Sequence, residues 1–172
     1  GALMFGDFKL SAGGTSSYYF DGRLITLDPE GAYRVAKAIM PILRECNADA
    51  IAGPTLGADP IVSAVALLSY LEGHPIPGLI VRKETKQHGG MRAIEGPLKA
   101  GARVAIVDDT CSTGSSILHA IDATQEAGCR VVKVISILDR HQGGSDELRR
   151  RGYDFVALLE ANEHGEVVPA QQ

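Results

Sequence analysis

The chain has 172 residues, 45% hydrophobic and 22% charged, with a formal net charge of −4. That length supports one domain with a substantial core, and the acidic balance removes the electrostatic case for nucleic acid or an anionic membrane as partner. No apolar run approaches the ~20 residues of a membrane span, and the three cysteines, Cys46, Cys111 and Cys129, match neither a disulfide framework nor a zinc spacing, as in a protein of the reducing cytoplasm.

Residues 1–27 alternate loosely around a Gly/Ser/Thr cluster at Ser11–Ser17. Short strands or a hairpin are expected near Leu10 and Tyr18–Phe20, away from any main sheet, with Asp21-Gly22 as a turn. Asp28-Pro29-Glu30 is a helix start, with a capping side chain, proline in the first turn and an acid at the positive end. Ala32, Val35, Ala36, Ile39, Ile42 and Leu43 follow at helical spacing, and Pro41 sits late in that run, where a kink is expected. Asp49–Ala52 reads as a buried strand running into GPTLGADP, and Asp59-Pro60 opens an apolar helix over Ile61–Leu71, closed by Gly73. Strands are expected at Leu79–Val81, Val104–Val107, Val131–Leu138 and Phe155–Leu159. Helices are expected at Ser115–Ala127, stopped by Gly128, and at Asp146–Arg151. Continuously apolar strands alternating with helices imply a parallel sheet covered on both faces. Ligands of such sheets sit beyond the carboxyl ends of the strands. The segments Gly53–Asp59, Arg82–Gly90, Asp108–Ser115 and Asp139–Gly144 all fall there.

The stretch RVAIVDDTCSTGSS, Arg103–Ser116, carries the strongest chemical signal. An apolar strand, the acids Asp108 and Asp109, a turn of small and hydroxyl residues around Gly114, and a helix follow in order. Free backbone N–H groups at a helix start suit a phosphate, and small residues let it approach. The two acids would repel that phosphate unless a sugar diol or a hydrated Mg²⁺ intervenes, so the pattern points to a phosphorylated sugar. A second signal is VRKETKQHGG, Val81–Gly90, where Arg82, Lys83, Lys86 and His88 crowd into seven positions before a flexible Gly89-Gly90 pair. A cationic loop above the same sheet edge can cover a diphosphate and neutralise a leaving group. Cys111 lies inside the phosphate turn with no base placed by sequence to activate it, and His74, His119, His141 and His164 read as structural or solvated, His141 being the best placed to line a base site.

VDDTCSTGSS resembles the 5-phosphoribosyl-1-diphosphate (PRPP) signature of type I phosphoribosyltransferases, and R-K-x-x-K-x-H-G is similar to the catalytic loop of the orotate phosphoribosyltransferases. FGDFKLSAGGTSSYYFDGR, GPTLGADPIV and Leu138–Arg140 extend the likeness from about Phe5 to Glu160. The resemblance implies an α/β fold, a parallel sheet flanked by helices, with a small N-terminal hood over about residues 1–27 and a core over about 28–160. The activity it implies is transfer of the phosphoribosyl group of PRPP to N1 of orotate, in pyrimidine biosynthesis, by a cytoplasmic homodimer. In that family Mg²⁺ assists and the cationic loop reaches into the partner's site.

On the same resemblance, Asp108 and Asp109 hold the ribose hydroxyls with Mg²⁺ nearby. Thr110, Cys111, Ser112, Thr113, Gly114, Ser115 and Ser116 wrap the 5′-phosphate. Gly53, Pro54, Thr55, Leu56 and Gly57 form the pyrophosphate loop. Lys86 stabilises the leaving diphosphate with Arg82, Lys83 and His88 assisting. Ser112 and Arg140 take orotate, a guanidinium matching a planar carboxylate. Ser11, Gly57 and Gln87 stand where family members often have lysine, lysine and an acid. The family usually has a further helix before FGDF; its absence from this sequence implies a truncated N-terminus and an incomplete hood. The alternatives are a phosphoribosyltransferase for a purine or uracil, and a non-catalytic PRPP-binding regulator. Orotate is already anionic, so no strong general base is required.

Overall fold

The computed structural model describes residues 1–9, 15–83, 93–162 and 166–170. Leu10, Ser11, Lys86, Gln87, His88 and His164 lie outside those residues. The elements in chain order are β1 (Leu3–Lys9), β2 (Thr15–Phe20), α1 (Arg23–Thr26), α2 (Pro29–Glu45), β3 (Ala50–Pro54), α3 (Asp59–Leu71), β4 (Gly78–Val81), β5 (Ile94–Glu95), β6 (Arg103–Cys111), α4 (Ser115–Glu126), β7 (Arg130–Asp139), α5 (Gly144–Arg150), β8 (Phe155–Ala161) and β9 (Val167–Pro169).

β1 and β2 pair antiparallel as a separate small sheet. The main sheet has seven strands in the order β5-β4-β3-β6-β7-β8-β9. Its five inner strands run parallel, and β5 and β9 close the two edges in the antiparallel sense. The parallel interior follows from helical crossovers, which a parallel pair requires. Side-chain alternation then splits the core in two. Val104 and Ile106 of β6 face α4, meeting Ile117, Ala120 and Ile121. Ala105 and Val107 face the opposite layer, with Ile39 and Leu43 of α2 and Ile61 and Val65 of α3.

α2 starts as its sequence requires: the Asp28 side chain accepts from the Gly31 N–H at 2.8 Å, and Pro29 stands in the first turn. Pro41 is accommodated inside the helix, which continues to Glu45, so Pro41 does not end it. Several boundaries differ from the sequence expectation. The first strand lies at Leu3–Lys9 rather than around Leu10, and β6 continues through the acid pair to Cys111. The parallel register with β7 extends to Cys111↔Asp139, and that ladder holds the acids in extended chain. The small sheet packs on the carboxyl end of the main one through Tyr18 and Phe20, which meet Leu138 and Ala161. Among the described residues no helix is long and apolar enough to cross a membrane.

Candidate active site

The parallel strands β3, β4, β6 and β7 end at Pro54, Val81, Cys111 and Asp139, and their following segments gather at one edge. Asp108 and Asp109 stand at its centre. Asp108 is 5% exposed, and both of its oxygens are engaged: Oδ1 accepts the Asp109 N–H at 2.9 Å and Oδ2 accepts the Ser116 hydroxyl at 2.7 Å. The second bond ties the strand end to the first turn of α4. Burial pushes the Asp108 carboxyl above its ordinary range, and the neighbouring Asp109 charge adds to that. Asp109 is raised by burial as well, against an opposing hydrogen bond from Thr110. A desolvated pair of like charges favours any ligand that brings hydroxyl donors or a cation.

Asp109 is also wedged between two glycines. A Cβ at Gly57 would lie 2.7 Å from Asp109 Oδ1, and one at Gly22 would lie 2.8 Å from its Cβ. Gly57 thus lets the loop after β3 lie flat against the acid. That loop is held by the Thr55 N–H donating to the Val81 carbonyl at 2.9 Å and by the Thr55 hydroxyl donating to Asp59 Oδ2 at 2.8 Å. The Thr55–Leu56 peptide is cis. Gly53 is needed at the strand end, where a Cβ would sit 2.4 Å from the Val107 carbonyl oxygen. Pro54 is buried in β3, while the Leu56 side chain is 60% exposed.

The turn Ser112–Ser116 opens α4, with Gly114 in the left-handed region at φ +78°. The Leu118 N–H donates to the Gly114 carbonyl at 2.8 Å, so the first-turn amides ahead of it have no carbonyl one turn back within α4 to bond, the setting that suits an anion. The turn is braced by the loop after β7: the Gly144 N–H donates to the Ser112 carbonyl at 2.9 Å. A Cβ at Gly144 would fall 2.6 Å from both the Gly114 nitrogen and the Ser112 oxygen. Gly144→Ala, at a backbone conformation alanine can adopt, is therefore expected to cost about 1–3 kcal/mol of stability through overpacking. Because the clash lands on the turn itself, the same variant should weaken binding of a phosphate-bearing ligand there about tenfold. Thermal unfolding and a phosphate titration check both, and unchanged affinity would show that the two loops part without disturbing the amides.

Cys111 ends β6 ahead of this turn, so, against the sequence expectation, it does not wrap a phosphate, and it offers no reactive thiol. Its side chain is buried in the core, and burial, with Asp139 and Asp108 nearby, pushes the thiol up to about 12. Its carbonyl accepts the Arg140 N–H at 2.9 Å. The Arg140 guanidinium lies over the buried Tyr18 ring, 4.6 Å from its centroid, and Nε donates to the Tyr18 hydroxyl at 3.3 Å. Strand β2 of the small sheet thus orients a cation at the end of β7. Beside it His141, at φ +49°, donates its N–H to Asp139 Oδ1 at 2.9 Å and sets its ring 3.2 Å from Glu160 Oε2.

Of the cationic loop, Arg82 and Lys83 are described. The Arg82 N–H donates to the Ala93 carbonyl at 2.9 Å, and its guanidinium pairs with Glu95 of β5 at 3.3 Å. Lys83 is exposed. The loop's base is therefore clamped at the carboxyl end of β4, on the acid pair's side of the sheet. A cavity of about 420 Å³ lies elsewhere, between Ile94–Leu98 and the far end of α4. Its lining includes Glu126, and α4's phosphate-facing end is the opposite one, so it does not suit an anionic sugar.

Tyr18, Gly22 and Gly144 were not singled out from the sequence as site residues. The paired glycines Gly143-Gly144 are a visible signal, whereas the Tyr18–Arg140 contact spans 122 positions and leaves no local pattern.

Residues 25–169 match the phosphoribosyl transferase domain family. An orotate phosphoribosyltransferase of Aquifex aeolicus is 45% identical over 91% of this chain and 85% of its own length. The crystal structure of the Mycobacterium tuberculosis orotate phosphoribosyltransferase with Fe(III) dicitrate superposes at a TM-score of 0.80, with 33% identity over 92% of this chain and 89% of that one. The same bacterium's enzyme in complex with PRPP superposes at 0.72, with 31% identity over 82% of this chain and 80% of that one.

Proposed function

The chain belongs to the orotate phosphoribosyltransferases, and from that membership we propose how its residues serve the transfer of the 5-phosphoribosyl group of PRPP to orotate. The products are orotidine 5′-monophosphate and diphosphate. The bond from C1 of the ribose to the diphosphate oxygen breaks, a bond from C1 to N1 of orotate forms, and the proton on N1 leaves to the departing diphosphate. The transition state is cation-like at the sugar and gathers negative charge on the leaving group, so the protein has to position two ligands, stabilise that charge and exclude water. No covalent nucleophile is needed, in keeping with the inert Cys111.

The observation that carries the residue assignment is the convergence of the desolvated acid pair with the helix-opening turn and the Gly53–Gly57 loop. On this reading Asp108 and Asp109 receive the ribose hydroxyls, and the Ser112–Ser116 amides and hydroxyls hold the 5′-phosphate. The 53–57 loop lies along the diphosphate. Arg140, oriented by Tyr18, pairs with the orotate carboxylate beside Ser112. Lys86, with Arg82, Lys83 and His88, faces the leaving diphosphate.

Mg²⁺ fits this donor set as a substrate-borne ion. Among the described residues no three His, Cys, Asp or Glu side chains converge on a metal position. Asp108 and Asp109 would supply its protein carboxylates, the one or two that Mg²⁺ takes beside substrate oxygens. When bound, it offsets charge on the diphosphate. The assembly we propose is a homodimer whose cationic loops are exchanged between subunits, and the free cysteines support a cytoplasmic setting.

The decisive test is the loss of orotate absorbance on adding PRPP and Mg²⁺, run beside adenine, hypoxanthine and uracil. Consumption of orotate alone is expected. Turnover of a purine or uracil in its place would reassign the base, and PRPP binding without diphosphate release would make the protein a sensor.

A further inference from the structure

His119 lies on the exposed side of α4, where packing gives it no role. Its Nε2 is nonetheless 2.8 Å from the backbone carbonyl oxygen of Arg82, 37 positions away. A carbonyl only accepts, so the imidazole is the donor; the neutral ring meets this as its Nε2–H tautomer and the imidazolium meets it as well. Arg82 is the first residue beyond β4, and its N–H and guanidinium are already committed to Ala93 and Glu95. The contact with His119 fixes the remaining backbone group of that residue.

The position on α4 gives this contact its consequence. Ser115 opens the helix at the phosphate turn, and His119 follows one turn later on the same face, about 6 Å along the axis. One rigid turn of helix thus carries the phosphate turn at its start and a tether to the base of the cationic loop at its end.

We propose that His119 is a positioning residue for the transfer reaction, holding the Arg82 carbonyl so that the loop's base keeps a fixed register with the phosphate turn. This rests on the reading of the loop as the group that faces the leaving diphosphate. His119 touches no substrate; it acts through Arg82.

The test compares wild-type protein with H119A and H119Q. Glutamine keeps a donor near the Nε2 position, and alanine removes it. H119A is expected to lose ~3–10-fold in kcat, the size one net hydrogen bond can supply, with KM for PRPP within about twofold and an unchanged thermal midpoint. H119Q is expected to recover most of that loss. Hydrogen exchange at the Arg82 amide should quicken in H119A and slow again in H119Q. Equal kcat and equal exchange in H119A would overturn the proposal, as would H119Q behaving like H119A. If the wild-type protein does not consume orotate, the functional reading falls, while the Arg82 amide still decides whether His119 fixes the loop's base.

Discussion

Asp109→Asn is expected to lower kcat/KM for PRPP about 100-fold while raising the thermal midpoint of the unliganded protein near pH 8. The loss follows from what a carboxylate offers a diol. Hydrogen bonds to a charged acceptor are worth about 1.5–3 kcal/mol each, and an amide oxygen retains only part of that. Two such bonds weakened together reach about 100-fold. The gain follows from linkage. Burial holds the Asp109 carboxyl above its ordinary value, and its hydrogen bonds with Thr110 and Asp108 only partly offset that. Below the unfolded carboxyl pKa of about 3.9 the group is neutral in both states and costs the fold nothing. As pH rises through the raised folded value, the folded protein has to ionise a desolvated group, and stability is lost. Asparagine carries no charge to desolvate, so its advantage should appear above the folded value and vanish in acid. Thermal melts across pH, beside PRPP-dependent rates, check both halves. An asparagine variant with normal rates would remove the acid from ribose recognition, and a midpoint difference that persists in acid would refute the desolvation account.

The second large effect is expected at Lys86. Lys86→Ala should cut kcat by ~100-fold or more, the scale of losing one preorganised partner for transition-state charge, with far less change in PRPP binding. If the loop serves the neighbouring subunit, a Lys86→Ala chain and an Asp108→Asn/Asp109→Asn chain should complement each other. Each mixed dimer then has one site with intact acids and an intact loop. Random exchange at equal amounts makes about half the dimers mixed, so recovery should approach about a quarter of wild-type activity. No recovery after demonstrated exchange would confine the loop to its own subunit.

The parallel interior was legible because its strands are uniformly apolar and its helices carry clear starts, as at Asp28-Pro29. The edge strands β5 and β9 were not, since strands as short as Ile94–Glu95 and Val167–Pro169 exist only by pairing with a neighbour. The acid pair was visible as chemistry, but the extension of β6 through it depends on a ladder with β7 that no local pattern announces. Gly57 is the instructive case. From the sequence it is a missing lysine; in the fold it is the flat backbone against which Asp109 rests. His119 shows the same limit, because its partner is chosen by how α4 lies beside β4.

The two short antiparallel strands at the rims of the main sheet have a consequence for how the protein behaves when concentrated. Parallel inner strands left bare at a rim would present open amide and carbonyl rows to any passing chain. With Ile94–Glu95 on one flank and Val167–Pro169 on the other, such stacking meets stubs too brief to template a fibre, and one of them ends in a residue that cannot donate. Stripping Val167–Pro169 would unmask Leu159–Ala161, the stretch of β8 it pairs with, and lengthen the open rim into a seed for aggregation.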